Sequence, residues 1–314
     1  MPHFTCLNRF FPGPTLGLAV SLAAVLLLPA CGDEQDPAGP SASASFAGAG
    51  GTTTKIAFTL NPMGDASLAT VKSDGTGFKA LVNSAGQDRE VAYSPDGGRI
   101  AFTSDRDGIQ QIYLARSDGR RPIVVTQLPA GSFPRHPAWS PDGTHLAFSQ
   151  SAAGNRDIYL LDLASGGITR LTEAAAVDDD PTWSPDGTRI AFTSYRDGNS
   201  EIYTMSDGGT DEAPFTSCVN FCYGPAWSPD GQTIAYQEGG TLYTRTVAGG
   251  LPFLVTTSLA EFGSASWSPD GSELVFVAQD AGARCDVYAI HPDGSGRRRI
   301  TNSAAVEGWP VWKP

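Results

Sequence analysis

The run P-T-W-S-P-D-G-T-R-I-A-F-T-S, Pro181 to Ser194, decides how this chain folds. Close copies of its first half stand at Pro137 to Gly143, Pro225 to Gly231 and Ala265 to Gly271, and V-A-Y-S-P-D-G occupies Val91 to Gly97. Every copy carries a Ser and an Asp, residue types that do chemistry in many enzymes. Spacing separates chemistry from architecture. Asp96, Asp142, Asp186, Asp230 and Asp270 lie 46, 44, 44 and 40 residues apart, a period of the size that marks a propeller or solenoid. After the quoted run the unit continues with the turn Y-R-D-G-N, the run S-E-I-Y-T-M, the turn S-D-G-G-T and the short run A-P-F-T. These are four short β-prone runs per period, each closed by Gly, Asp or Asn, which is the arithmetic of a propeller blade.

The ends of the chain complete the count. The second-strand signal occurs at Ile56-Ala57-Phe58, Ile100-Ala101-Phe102, Leu146-Ala147-Phe148, Ile190-Ala191-Phe192, Ile234-Ala235-Tyr236 and Leu274-Val275-Phe276. The first of these lacks the S-P-D-G turn before it, and P-V-W-K-P at Pro310 to Pro314 matches P-T-W-S-P. The expected fold is therefore all-β: a six-bladed β-propeller over residues 55–314, four antiparallel strands per blade, with the C-terminal strand supplying the inner strand of the first blade. No apolar stripe of helical period follows the leader, so helices are not expected.

Composition fits this picture. With 36 Gly and 23 Pro among 314 residues the chain is rich in turn formers, and 40% hydrophobic residues supply a large core. Its formal net charge of -12 argues against nucleic acid as a partner. Residues 1–30 read as a signal segment, with Arg9 ahead of the apolar run Leu16 to Leu28, too short for a membrane span of about 20 residues. L-P-A-C at Leu28 to Cys31 resembles a bacterial lipobox, which implies lipidation of Cys31. Ordinary secretion with cleavage near Ala30 is the alternative. Residues 31–54, poor in apolar periodicity and rich in Gly, Ala, Ser and Pro, read as a flexible tether. Export permits disulfides. The closeness of Cys218 and Cys222 favours their pairing, which leaves Cys285 over.

The pattern W-S-P-D-G-x-x-I-A-F-x-S-x-R-D-G-N-x-x-I-Y, clearest at Trp183 to Tyr203, resembles the repeat of the TolB propeller family, and related repeats occur in tricorn and prolyl-oligopeptidase-type propellers. The resemblance covers residues 55–314. It implies a periplasmic or envelope setting, here as a stand-alone, lipid-anchored propeller, because residues 1–54 leave no room for the α/β domain that precedes the propeller in TolB.

Each S-P-D-G reads as a hairpin turn, with Pro presetting φ and Gly taking the left-handed position. The five turn aspartates lie on separate blades and do not converge on one cation. No two of His136, His145 and His291 are expected to share a metal, and each reads as a surface or capping residue. No G-x-S-x-G, H-E-x-x-H or Walker pattern is present. G-T-G-F-K-A at Gly75 to Ala80 falls in a hairpin with no helix behind it, so it is not a nucleotide site. No catalytic residue, metal or cofactor is expected.

The mouth of the central channel on the blade-joining face remains as the binding site by default. Three residues before each inner-strand aromatic stand Glu90, His136, Asp180, Gly224, Ser264 and Trp309, and one step earlier come Arg89, Arg135, Asp179, Tyr223, Gly263 and Gly308. Arg89, Glu90, Arg135, His136, Asp179, Asp180, Tyr223 and Trp309 form the expected binding face. The run Asp178-Asp179-Asp180 reads as a solvated loop in preference to a calcium site. These features imply a monomeric, non-enzymatic envelope lipoprotein presenting the propeller to a protein or peptide partner, with membrane contact only through the lipid. The alternatives are a propeller that binds or hydrolyses a carbohydrate or other small molecule at the mouth, and a purely structural surface protein.

Overall fold

The computed structural model describes residues 54–314 except 63, 153, 258, 260–263 and 280–284. The expected signal segment, the expected lipidation at Cys31 and the expected tether up to residue 53 lie outside the described residues. Among these residues there is no helix, and the strands form six sheets of four. Blade 1 contains β1 (Lys55–Leu60), β2 (Ser67–Lys72) and β3 (Lys79–Val82), and blade 2 runs through β4 (Arg89–Tyr93), β5 (Arg99–Ser104), β6 (Gln111–Arg116) and β7 (Ile123–Val124). Blade 3 is β8 (Arg135–Trp139), β9 (His145–Ala152), β10 (Asn155–Asp162) and β11 (Ile168–Arg170). Blade 4 is β12 (Asp178–Trp183), β13 (Arg189–Ser194), β14 (Glu201–Ser206) and β15 (Ala213–Pro214). Blade 5 follows with β16 (Cys222–Trp227), β17 (Thr233–Glu238), β18 (Thr241–Thr246) and β19 (Phe253–Thr256). Blade 6 is β20 (Ser266–Trp267), β21 (Leu274–Gln279), β22 (Cys285–Ile290) and β23 (Arg298–Arg299). The last strand, β24 (Glu307–Trp312), leaves blade 6 and pairs antiparallel with β1 to complete blade 1. The ring is closed as the sequence implies.

The I-A-F triplets show why the blades stack. Ile100, Ala101 and Phe102 are all fully buried, as are their counterparts in the other second strands apart from the slight exposure of Tyr236. A strand with neighbours on both faces needs a continuous apolar run in place of an alternating one. In blades 2 to 6 each such aromatic lies directly opposite a Tyr of the next strand: Phe102 faces Tyr113, with ring centroids 5.8 Å apart, and Phe192 faces Tyr203 at 6.0 Å, whereas Phe58 of blade 1 faces Ala69. The buried apolar residues fall into six clusters, one at each seam between blades. The inner-strand tryptophans bolt these seams: the indole N–H groups of Trp139, Trp183 and Trp267 donate to the carbonyls of Ala92, Ala138 and Ala226 on the preceding blade.

The S-P-D-G turns are structural to the atom. In Ser184 to Gly187 the Ser184 hydroxyl donates to Asp186 Oδ1 (2.6 Å) and accepts from the Arg189 N–H, while Asp186 Oδ1 accepts from the Thr188 N–H. Gly187 has φ of 73°, and a Cβ there would sit 3.6 Å from Pro141 of the neighbouring turn. These bonds hold the turn carboxylates low, those of Asp142 and Asp270 at about 2, with the serine hydroxyl the largest cause. The Ser and Asp are spent on the hairpin, and no reactive pair is left over.

Candidate functional site at the channel mouth

The inner strands carry a device that local sequence does not announce. In β4, Arg89 pairs with Thr103 and Ala92 with Ala101, so three steps on the inner strand face two on its neighbour. The same bulge recurs in β8, β12, β16 and β24. The residue it releases has positive φ in every case: Glu90 (57°), His136 (49°), Asp180 (51°), Gly224 (64°) and Trp309 (48°). Positive φ is costly for a residue with a side chain, and such strain gathers where side chains must be aimed. Here Glu90, His136, Asp180 and Trp309, together with Ser264, line one end of an axial cavity of about 280 Å³. Below them the wall turns apolar, through Val91, Pro137, Pro181, Pro225, Ala265 and Pro310.

The charged side chains form one network across three blades. Arg135 donates to Glu90 Oε1 through Nε (2.9 Å) and Nη2 (2.8 Å), and the His136 N–H donates to Glu90 Oε2 (3.0 Å). His136 Nδ1 lies 3.0 Å from Asp179 Oδ1 and 2.8 Å from Asp180 Oδ1, and Nε2 lies 3.5 Å from Glu90 Oε1. Asp179 also accepts from Ser149 Oγ and the Asp180 N–H, and it is ion-paired to Arg156. Burial opposes charge on Glu90, Arg135, His136 and Asp179, but the neighbours win. Arg135 and His136 hold the Glu90 carboxyl below its usual range, and His136 and Arg156 hold that of Asp179 well below. His136 is pushed well above its ordinary value, because the carboxylates of Asp180, Glu90 and Asp179 outweigh its desolvation. The three carboxylates thus favour the protonated imidazole, whose Nε2 lacks a hydrogen-bond partner. Its ring lies 6.0 Å from that of Trp309.

Of the expected face, the structure brings Glu90, His136, Asp180 and Trp309 to the cavity and sets Arg135 and Asp179 behind them. Arg89 turns away, donating to Gln87 Oε1 (2.9 Å). Tyr223 sits in β16 opposite Gln237 and does not line the cavity. Two expectations are corrected. Asp178-Asp179-Asp180 is not a solvated loop: it opens strand β12, where alternation sends Asp178 into an ion pair with Arg196 and the bulge turns Asp179 and Asp180 toward His136. Nor is His136 a surface or capping residue, because three carboxylates enclose it. Arg156 was not singled out from sequence. It reaches Asp179 because the β9–β10 hairpin is eight residues to a strand, where its counterparts in blades 2 and 4 have six, and no motif marks that extension.

His136, Asp179 and Asp180 offer ligand atoms within 4.8 Å of one another, the geometry of a cation site. A cation there would have to displace the His136 proton and compete with Arg156. Glu201, Cys218 and Cys222 also meet, but the two sulfurs are bonded to each other. That disulfide closes a loop on the same face as the mouth. Glu238 clamps the loop by accepting from the N–H groups of Val219 and Asn220, and Val219 (93% exposed) and Phe221 (58%) point to solvent.

Closed blades, the S-P-D-G turns and the aimed mouth define a six-bladed β-propeller. A protein-family model described as the TolB beta propeller domain matches residues 130–241. The crystal structure of TolB from Acinetobacter baumannii is similar over 83% of this chain and 67% of its own, with a TM-score of 0.76 and 27% identity. A nidogen/laminin complex (TM-score 0.70, 13% identity, 83% of this chain and 98% of that one) shares the fold. So does an oligogalacturonate lyase in complex with manganese (TM-score 0.56, 17% identity, 80% and 74%). At those identities the likeness is one of architecture alone.

Proposed function

We propose that the protein is a non-enzymatic, lipid-anchored protein of the bacterial cell envelope that presents its channel mouth to a protein or peptide partner. The observation that carries this reading is the set of bulges that hold Glu90, His136, Asp180 and Trp309 at positive φ around the cavity. A fold that bears such strain at four charged or aromatic positions maintains a preformed polar rim over an apolar shaft, suited to a peptide that inserts an apolar side chain and pairs its backbone and charges at the rim. The TolB-like repeats and the lipobox at Cys31 support the envelope setting.

Panning a displayed peptide library on the purified propeller tests the partner class. Peptides that bind the parent and lose binding to Trp309→Ala and Asp180→Asn, both checked for native circular dichroism, are expected. A library that yields no peptide sensitive to either substitution overturns the reading. A second reading, a small-molecule or divalent-cation site, is favoured by the meeting of His136, Asp179 and Asp180. Calorimetric heat with manganese, calcium or oligosaccharides that Asp180→Asn abolishes would establish it in place of the first. Radiolabelled palmitate incorporation that Cys31→Ala removes tests the anchor.

A further inference from the structure

We infer that the tether-side rim of blades 1, 6 and 5 is a membrane-contact surface that lies against the headgroups of a lipid bilayer. The inference extends the lipid-anchored reading above, but its evidence is separate. The sequence contains four lysines, Lys55, Lys72, Lys79 and Lys313. The strand register gathers all four at one end of blade 1: Lys55 lies opposite Lys72, Thr70 opposite Lys79, and the Lys313 N–H donates to the Lys55 carbonyl. That end carries the S-P-D-G turns and is opposite the channel mouth. It is also where the chain leaves the ring toward the tether. A chain with a net charge of -12 has thus placed every lysine beside its N-terminal exit.

Large apolar side chains accompany the charge. Phe78, beside Lys79, is 51% exposed. On the same face of blade 5, the turn from β18 to β19 leaves Leu251 93% and Phe253 51% exposed. Between them, the last turn of blade 6 sets Arg297 against β19, with Nη1 3.4 Å from Thr256 Oγ1. Cationic heads and apolar bodies alternating along one arc match the interface of a bilayer, where lysine meets lipid phosphate and the apolar groups enter the acyl boundary. Only 23 residues separate Cys31 from Lys55, so a lipid on Cys31 would keep this arc within chain reach of the bilayer. Asp74 and Asp293 are exposed in the outer turns of blades 1 and 6, as are the S-P-D-G aspartates at the same end, and anionic headgroups repel them. The ring therefore meets the membrane on the lysines and the apolar side chains, with the mouth directed away.

Sedimentation of the full exported chain carrying Cys31→Ala with vesicles tests the surface without the lipid. Partition into phosphatidylethanolamine–phosphatidylglycerol vesicles is expected, with little into phosphatidylcholine alone. Each basic residue near an anionic surface contributes roughly fivefold, so Lys72→Gln with Lys79→Gln should lower partition about 30-fold, and Phe78→Asp with Leu251→Asp should lower it further. A fluorophore on Phe78→Cys should be shielded from an aqueous quencher in vesicles and one on Ile109→Cys, at the mouth side, should not; Cys285 is buried. Absence of partition, partition indifferent to the lysines, or equal quenching at both positions overturns the inference. So does a dimer that Leu251→Asp dissolves while partition stays unchanged, which would assign the β19 edge to a second copy of the chain. An unacylated Cys31 in the native protein would refute the anchor alone, since partition is measured without it.

Discussion

Trp312 sits where β24 meets β1, and substituting it tests what closure contributes. It is 5% exposed and packs with Ile56, Phe58, Val275 and Val287 at the seam of blades 1 and 6. A buried Trp removes about 200 Å² from water, worth about 5 kcal/mol at roughly 25 cal/mol per Å². Trp312→Ala should therefore cost about 3–5 kcal/mol, a large share of the ~5–15 kcal/mol typical of a folded protein. Trp183→Ala, at the seam of blades 3 and 4, removes a partly buried Trp inside continuous chain. The two should differ in where the ring loosens. In Trp312→Ala, β1 to β3 become the free end of an open sheet stack, and their amides should exchange faster than those of β12 to β14. In Trp183→Ala that contrast should vanish or reverse. The milder pair separates polar from apolar causes. The Trp183 indole donates to the Ala138 carbonyl at 3.2 Å, whereas the buried Trp312 Nε1 has no partner. Trp312→Phe should thus cost less than Trp183→Phe by about 1 kcal/mol, the net worth of one hydrogen bond. Urea denaturation with hydrogen exchange by mass spectrometry reads all four variants. Equal protection of β1 to β3 in both alanine variants would refute the idea that closure is the weakest seam.

Three further outcomes follow from the mouth and its surroundings. Glu90→Ala should destabilise by about 3 kcal/mol, the low end for breaking a buried pair because Arg135 keeps 29% exposure; urea midpoints at low and high salt check it. The folded value of His136 lies above its unfolded ~6.5, so its contribution is full below about pH 6.5 and is lost as pH rises through the folded value. Glu90 and Asp179 are depressed, so theirs is full above about pH 4.5 and is lost as pH falls through their folded values. Melting temperature against pH should show both limbs, and His136→Asn should flatten the alkaline one. Reducing Cys218–Cys222 should cost about 2 kcal/mol for so short a loop, with faster exchange confined to Val219, Asn220 and Phe221 in place of a global loss.

The candidate site was half legible. Counting back from each inner-strand aromatic located Glu90, His136, Asp180 and Trp309, because a repeat fixes equivalent positions even where the residue types differ. The same counting put Arg89 and Tyr223 on the face, and the structure turns both away from the cavity. It also read Asp178 to Asp180 as a loop, since three consecutive carboxylates in a strand look implausible until their partners are known. Those partners, Arg196, His136 and Arg156, lie 18 to 44 residues away along the chain, and only folding brings them within 4 Å.

The sequence by itself determined the ring. Blade number, strand order, the architectural role of S-P-D-G and closure by P-V-W-K-P all follow from local preferences repeated at a fixed period, and repetition averages out the ambiguity of any single run. Tertiary structure decided the chemistry. Positive φ at the bulges, the carboxylates that enclose His136 and the gathering of four lysines at one end of blade 1 come from strand register and low-dielectric contacts between blades. Neither is encoded in the residues nearest in the chain, because charge and strain are settled by what lies opposite.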